Sequence, residues 1–203
     1  MSLTTYLGLK DAVESWSHRN DVASRLDDFI NLAESEMKRW LRIRDMESRG
    51  TTNTDTDRYV SLPSGFLELR SLKIISGSQY FDVLYKTPES MIITQDSGIP
   101  KAFTITNQIE FDRVPDGTYT LEILFYNSFT SLSATNTSNA VLTKFPNIYL
   151  YGCLWALYQW SLQEDKSEYY YGKFIQAIKS ANREDSKGRH GPAPAMFYRG
   201  PTP

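Results

Sequence analysis

Residues 21–42 read DVASRLDDFINLAESEMKRWLR, and within them Val22, Leu26, Phe29, Ile30, Ala33, Met37, Trp40 and Leu41 recur at steps of three and four. Such steps line apolar side chains along one stripe of an α-helix, since a turn takes 3.6 residues. Asp21 stands where a capping side chain would open that helix. Upstream, residues 4–16 space Leu7, Val13 and Trp16 for a shorter helix, which the polar run Ser17-His18-Arg19-Asn20 stops.

Downstream the period changes. Residues 49–57 are polar and threonine-rich, and short strand-like runs then alternate with Gly, Pro, Asn and Asp. Strands are expected at 59–62, 67–75, 80–85, 102–106, 109–111 and 119–129, with turns at Gly77-Ser78, Asn107-Gln108 and Pro115-Asp116-Gly117. Hairpins of this kind make an antiparallel sheet. Thr87-Pro88-Glu89 places a hydroxyl before a proline, so residues 88–93 should form a single helical turn.

Residues 128–139 are almost wholly Ser, Thr and Asn, too polar to pack, and read as a mobile loop. Helix resumes at Pro146, with Ile148, Tyr151, Leu154, Trp155, Tyr158 and Leu162 in helical period. After a break at Gln163-Glu164-Asp165, the residues Tyr171, Phe174, Ile175, Ile178 and Ala181 mark a last amphipathic helix. From Ser186 onward glycines and prolines predict an extended tail. It carries Met196, Phe197, Tyr198 and Arg199, an apolar cluster with no core of its own and hence a docking motif. The expected fold is α+β, a mainly helical body with an inserted antiparallel β lobe. Its parts are N-terminal helices at 1–48, the β lobe at 58–129, a mobile polar loop at 130–144, C-terminal helices at 145–185 and a docking tail at 186–203.

The 203 residues are 40 % hydrophobic and 23 % charged, ordinary for a globular chain with a core of its own. A net charge of −2 gives no global attraction for phosphate backbones or anionic lipid. A lone cysteine, Cys153, excludes an intramolecular disulfide and any multi-cysteine zinc site, which fits assembly in a reducing cytosol. No basic n-region with an apolar run opens the sequence and no stretch nears the length of a membrane span, so a protein kept inside the cell is expected.

Residues that would carry catalysis do not gather. No Gly-rich phosphate loop, serine elbow or Cys-x-x-Cys occurs, and His18 and His190 lie in polar or Gly/Pro-rich surroundings. No catalytic residue, cofactor or metal is assigned. Asn53-Thr54-Asp55-Thr56-Asp57 opens like a calcium loop, but Arg58 and Ser64 stand where glycine and a bidentate glutamate are required. Asp27-Asp28 and Glu34 with Glu36 read as solvated helix faces, with Glu34 and Lys38 an i, i+4 pair. Lys38, Arg39, Arg42 and Arg44 around Trp40 form the local basic patch. Cations near a helix C-terminus complement its dipole, and the alternative is contact with a DNA backbone. Tyr169, Tyr170 and Tyr171 with Trp155, Tyr158 and Trp160 suit a core or a subunit interface better than a sugar platform.

The order of parts resembles the head-tail adaptor, or connector, proteins of tailed bacteriophages. The matching pieces are Phe29-Ile30-Asn31-Leu32-Ala33-Glu34 running to Arg42; Leu62-Pro63 before Leu69; Tyr85-Lys86-Thr87-Pro88; Gly98-Ile99-Pro100 before Phe103-Thr104-Ile105; Val114-Pro115-Asp116-Gly117-Thr118-Tyr119 before Tyr126; and Phe145-Pro146-Asn147-Ile148-Tyr149-Leu150-Tyr151-Gly152. The resemblance implies a structural virion protein without catalysis, assembled in the bacterial cytoplasm. It implies a ring of subunits, typically twelve, bound beneath the portal protein after DNA packaging and presenting a surface to the next tail protein. By position, it places portal docking on Met196, Phe197, Tyr198 and Arg199. The alternative function is a DNA-binding module lining the genome channel through Lys38, Arg39, Arg42 and Arg44.

Overall fold

A computed structural model describes residues 3–190, with side chains through residue 185. The stripe read from residues 21–42 forms helix α2, Leu26–Trp40. It begins later than expected, because Ala23–Arg25 is a 3-10 turn and Asp21 does not cap. Arg19 donates to both Asp21 oxygens, at 2.8 and 2.5 Å, and this local ion pair occupies the carboxylate. Asp27 and Asp28 instead supply negative charge to the first turn of α2, and Lys38 and Arg39 supply positive charge to the last.

Helix α1, Tyr6–Ser17, opens with Thr5, whose hydroxyl accepts from the Gly8 amide at 3.2 Å. It closes on His18 in the left-handed region, φ 52°, where the His18 amide reaches the Glu14 carbonyl. His18 is thus a helix stop. Asp27 on α2 receives Lys10 Nζ at 2.6 Å and the Tyr6 hydroxyl from α1. These bonds, that of Lys10 before that of Tyr6, hold the Asp27 carboxyl below the ordinary range. A depressed carboxyl pKa stabilises the fold above the unfolded value and ceases to do so as pH falls through the folded value. Asp27→Asn is therefore expected to destabilise by at most about 1 kcal/mol at neutral pH, since the pair is half-exposed. In urea melts the deficit should shrink as pH is lowered from about 5 toward 3; a deficit that persists there would refute the electrostatic account.

Three helices follow the β segment: α3, Ala140–Lys144; α4, Pro146–Trp160; and α5, Glu164–His190. Proline suits the first turn of α4, where its missing amide would have had no partner. α4 is apolar around most of its circumference, as a helix enclosed by others must be, and it packs against α1, α2 and α5. Cys153 lies in that core, where burial and then the Glu34 charge push its thiol up, so it is a packing group.

The tail expectation changes at one end. α5 continues through residues 186–190, expected to be extended, because one glycine such as Gly188 costs a helix only about 1 kcal/mol. Met196, Phe197, Tyr198 and Arg199 lie outside the described residues. Nor is the stretch 130–144 unpacked: it contains α3, and Leu132, Val141 and Leu142 are buried.

Residues Met46–Ser128 form a compact unit of their own, and the described residues outside that span form the other. The first of these holds two sheets among the described residues. One sheet is antiparallel in the order β1-β8-β3-β4, built from β1 (Glu47–Asn53), β3 (Phe66–Ser76), β4 (Gln79–Asp82) and β8 (Thr120–Asn127). The other runs β2-β7-β6-β5, built from β2 (Tyr59–Ser61), β5 (Leu84–Tyr85), β6 (Ala102–Ile105) and β7 (Gln108–Phe111). Leu72, Ile74, Ile109, Phe111, Leu121 and Ile123 fill the core of this unit.

Two expectations are corrected here. β1 falls partly in the stretch read as a polar turn; it is an edge strand paired with β8 from Glu47↔Tyr126 to Asn53↔Thr120. Its mostly exposed side chains supply no apolar alternation, and threonine is at home in strands. The β segment is not wholly antiparallel either, because β5 runs parallel to β6. The connection through residues 86–101 is long enough to return the chain in the same direction, and within it only Pro88–Ser90 makes a helical turn.

Candidate docking surfaces

The end of α4 and the start of α5 are rich in rings. Trp155 stacks on Phe174 with centroids 6.1 Å apart, and its ring centroid lies 5.2 Å from that of Tyr171. Tyr158 stacks on Tyr170 at 5.4 Å and 10°. Between the helices, Trp155, Tyr158, Gln159, Leu162, Glu168 and Tyr171 border an open groove of about 380 Å³, with Glu164 and Ser167 completing its wall. Tyr171 donates to Glu36 Oε1 at 3.3 Å; burial, then the Glu36 charge, raises its phenol above the ordinary value. Lys166 Nζ sits 5.1 Å over the Tyr158 ring.

The turn joining the helices is held by three amides: Ser161 on the Leu157 carbonyl, Leu162 on Gln159 and Gln163 on Tyr158. It places Leu162 in the left-handed region at φ 55° with 86 % of its surface exposed. A bulky apolar residue in that conformation and in water is doubly unfavourable for an isolated subunit. Trp160 and Tyr169 are also exposed around this end of the helical unit.

The β unit carries a second apolar surface. β4 covers β3 only over residues 73–76, so the edge of β3 before that is left uncovered by β4. Beside it opens a cleft of about 650 Å³, lined by Leu69, Leu72, Val83, Tyr85, Phe103 and Ile105 among others. Tyr80, Leu84, Tyr85, Ile92 and Ile93 are exposed on the same unit. Apolar strand edges of this kind favour pairing with another chain.

Lys38 and Arg39 lie in the last turn of α2 and Arg42 and Arg44 just beyond it, and each has a partner in the helical unit. Lys38 donates to Ser131 Oγ at 3.1 Å and lies 5.6 Å over the Phe129 ring. Arg39 meets Glu36 at 3.3 Å, and Arg44 meets Asp185 at 3.9 Å. Arg42 Nη1 donates to the Lys38 and Leu41 carbonyls at 2.9 and 2.8 Å, taking up carbonyls the helix end leaves over. Asn182 adds two further bonds there, accepting from the Arg42 amide and donating to the Trp40 carbonyl.

Glu34 departs from expectation. It is 1 % exposed and does not pair with Lys38; Glu34 Oε1 accepts from the Tyr149 hydroxyl and the Leu132 amide, each at 2.8 Å. Asn139 Nδ2 donates to the same tyrosine oxygen at 2.7 Å and to the Thr130 carbonyl at 2.9 Å, while Asn139 Oδ1 caps α3 through the Leu142 amide. Burial, then the Glu34 charge, push the Tyr149 phenol far above its ordinary range, so it stays a donor. The sequence held the signal, because Glu34 falls four residues after Ile30 and three before Met37, on the apolar stripe.

The arrangement offers apolar and aromatic surfaces for macromolecular contact. Compared with protein families, residues 4–195 match the family model described as SU10 adaptor protein. No curated protein matches the chain.

Proposed function

The chain belongs to the SU10 adaptor protein family, a family of phage head-tail adaptors, and as a structural virion component of that kind we propose that it joins the portal to the tail. The observation that carries this is the extent of the family match, which runs through both the helical and the β unit. In this reading copies of the chain close a ring, with a dodecamer as the expected size, that sits beneath the portal after DNA packaging and offers its far face to the next tail protein. A closed ring requires two different patches on each subunit that fit one another. Exposed rings on the helical unit and an uncovered strand edge on the β unit support such heterologous contact.

The test is to mix the purified chain with its cognate portal and image the product. A ring of fixed stoichiometry on the portal is expected; a chain that stays monomeric beside portal and tail proteins would overturn the assignment.

A genome-channel lining through Lys38, Arg39, Arg42 and Arg44 has weaker support, because each cation already serves a partner within the chain. Neutralising all four is expected to change duplex-DNA affinity by less than about threefold at low salt. A loss of tenfold or more, with a reduced salt slope, would favour the DNA reading instead.

A further inference from the structure

We propose that copies of this chain meet flank to flank through α1 and α5, the outward stripe Leu7, Asp11 and Glu14 of one copy lying antiparallel along the outward stripe Gln176, Lys179 and Arg183 of the next. The inference rests on the ring reading and names a contact that would close it.

Each of the two helices packs against α4, and neither packs substantially on the other. α1 buries Tyr6, Leu9 and Val13 and turns Leu7, 67 % exposed, and Asp11 outward, with Glu14 half-buried on the same stripe. α5 buries Phe174, Ile178 and Ala181 and turns Gln176, Lys179 and Arg183 outward. The charges are opposite in sign and unused: among the described residues the side chains of Asp11, Glu14, Lys179 and Arg183 make no ion pair or hydrogen bond. The cations nearest the two acids, Lys10 and Arg19, are taken by Asp27 and Asp21. Lys179 and Arg183 stand four residues apart, a like-charge spacing that costs a solitary helix stability and that an anion between them would relieve. Gly172, one turn before Gln176, is exposed, and a Cβ there would meet nothing within 4 Å. Glycine costs the helix about 1 kcal/mol with no return inside the subunit, and it lets another helix come close.

The direction of the contact follows from the subunit itself. α1 begins beside the segment that leads into α3 and α4, where the Tyr6 amide donates to the Thr137 carbonyl at 2.7 Å. It ends beside the end of α4, where the Arg19 guanidinium lies 5.4 Å from the Trp160 ring. α1 is therefore parallel to α4, and the tight turn after Trp160 makes α5 antiparallel to both. Each step around a ring of many copies turns the subunit through a small angle, so the next copy's α1 also arrives nearly antiparallel to α5. In that direction the two stripes keep register, since Leu7, Asp11 and Glu14 step by four and three, as do Arg183, Lys179 and Gln176. Each stripe spans about 10.5 Å of helix. Asp11 then stands level with Lys179 and one turn from Arg183, and Glu14 stands between Gln176 and Lys179. Leu7 reaches the level of Arg183, next to the exposed Trp40, whose carbonyl is held by Asn182. Acids and cations on separate helices thus find each other between copies, where one patch meets a different one.

The test reverses charge on one flank at a time in the full chain. Asp11→Lys with Glu14→Lys is expected to lower the yield of portal-bound rings about tenfold, and Lys179→Glu with Arg183→Glu to do the same. Mixed in equal parts, the two variants should form rings again in alternating order, because each supplies the charge the other lacks. Since none of the four side chains has a partner within the subunit, urea melts of the variants should overlay that of the parent. A second measurement does not depend on the portal. Asp11→Cys chain mixed with Lys179→Cys chain and treated with a short bismaleimide at high protein concentration should yield a covalent dimer, and either variant alone should yield little; Cys153 is buried and takes no part. Rings formed equally well by every variant, a loss that mixing does not restore, or a cross-link that is absent or no stronger in the mixture would overturn the inference. Where the parent still forms its ring on the portal, such a result leaves the adaptor reading intact. A mixed cross-link from a chain whose parent forms no ring on the portal does the reverse.

Discussion

Gly152→Val is expected to destabilise the helical unit severely. A Cβ at residue 152 would lie 2.8 Å from the Ala33 Cβ and 2.9 Å from Phe174 Cε2. Neither neighbour has room to yield. The Ala33 Cβ is fixed to the backbone of α2, and the Phe174 ring is stacked on Trp155 with Tyr171 alongside. The helices would have to separate around α4, which is enclosed by α1, α2 and α5. Overpacking of a well-packed core costs about 1–3 kcal/mol, and two further methyl groups add to it. Against a total stability of about 5–15 kcal/mol this is a large fraction. Urea melts followed by circular dichroism should show a midpoint shifted far downward for Gly152→Val and less so for Gly152→Ala. Combining Gly152→Ala with Ala33→Gly should restore part of the loss, because it exchanges which helix carries the methyl group. A midpoint unchanged in Gly152→Val would refute the close crossing.

That crossing also explains which parts of the chain were legible before its structure. Two of the pieces that carry the adaptor resemblance, Phe29 to Glu34 and Phe145 to Gly152, meet here: Ala33 faces Gly152, and Glu34 bonds Tyr149. Helical period exposed both elements, since a stripe of apolar residues on a long helix has few other readings. The same stripe could have placed Glu34 inside, but a carboxylate in a run of charges reads as solvated until a buried donor is known to face it. β1 was hidden for the opposite reason: an edge strand that buries little gives no alternation to detect, and its partner β8 lies some 70 residues away in sequence. The parallel pairing of β5 and β6 was equally out of reach, because two residues of strand carry no direction in their pattern. Of the docking surfaces, the aromatic residues were visible as types, but the groove depends on Leu162 turning outward at positive φ, which no local preference of leucine foretells.

Tyr149→Phe should be the second severe change, and a selective one. It removes a single oxygen, leaves the ring itself in the core, and deprives buried Glu34 Oε1 of one of its two hydrogen-bond donors among the described residues. Asn139 Nδ2 loses an acceptor at the same time, though it keeps the Thr130 carbonyl. A hydrogen bond to a charged group is worth about 1.5–3 kcal/mol, above the roughly 1 kcal/mol of an ordinary one. Glu34→Gln retains an acceptor oxygen without the charge, so its own cost should be smaller, and Tyr149→Phe in that background should cost less than in the parent. A coupling of about 1 kcal/mol or more between the two positions, read from denaturant midpoints, is the expected result. Additive losses would mean that tyrosine and carboxylate stabilise the core independently. Because Glu34 also holds the Leu132 amide, and Asn139 ties the Thr130 carbonyl to α3, weakening this network should loosen the segment before it melts the helices. Limited proteolysis should therefore cleave Tyr149→Phe first within residues 128–139, in denaturant concentrations where the parent is still intact. Cleavage beginning elsewhere would show that another contact holds that segment in place.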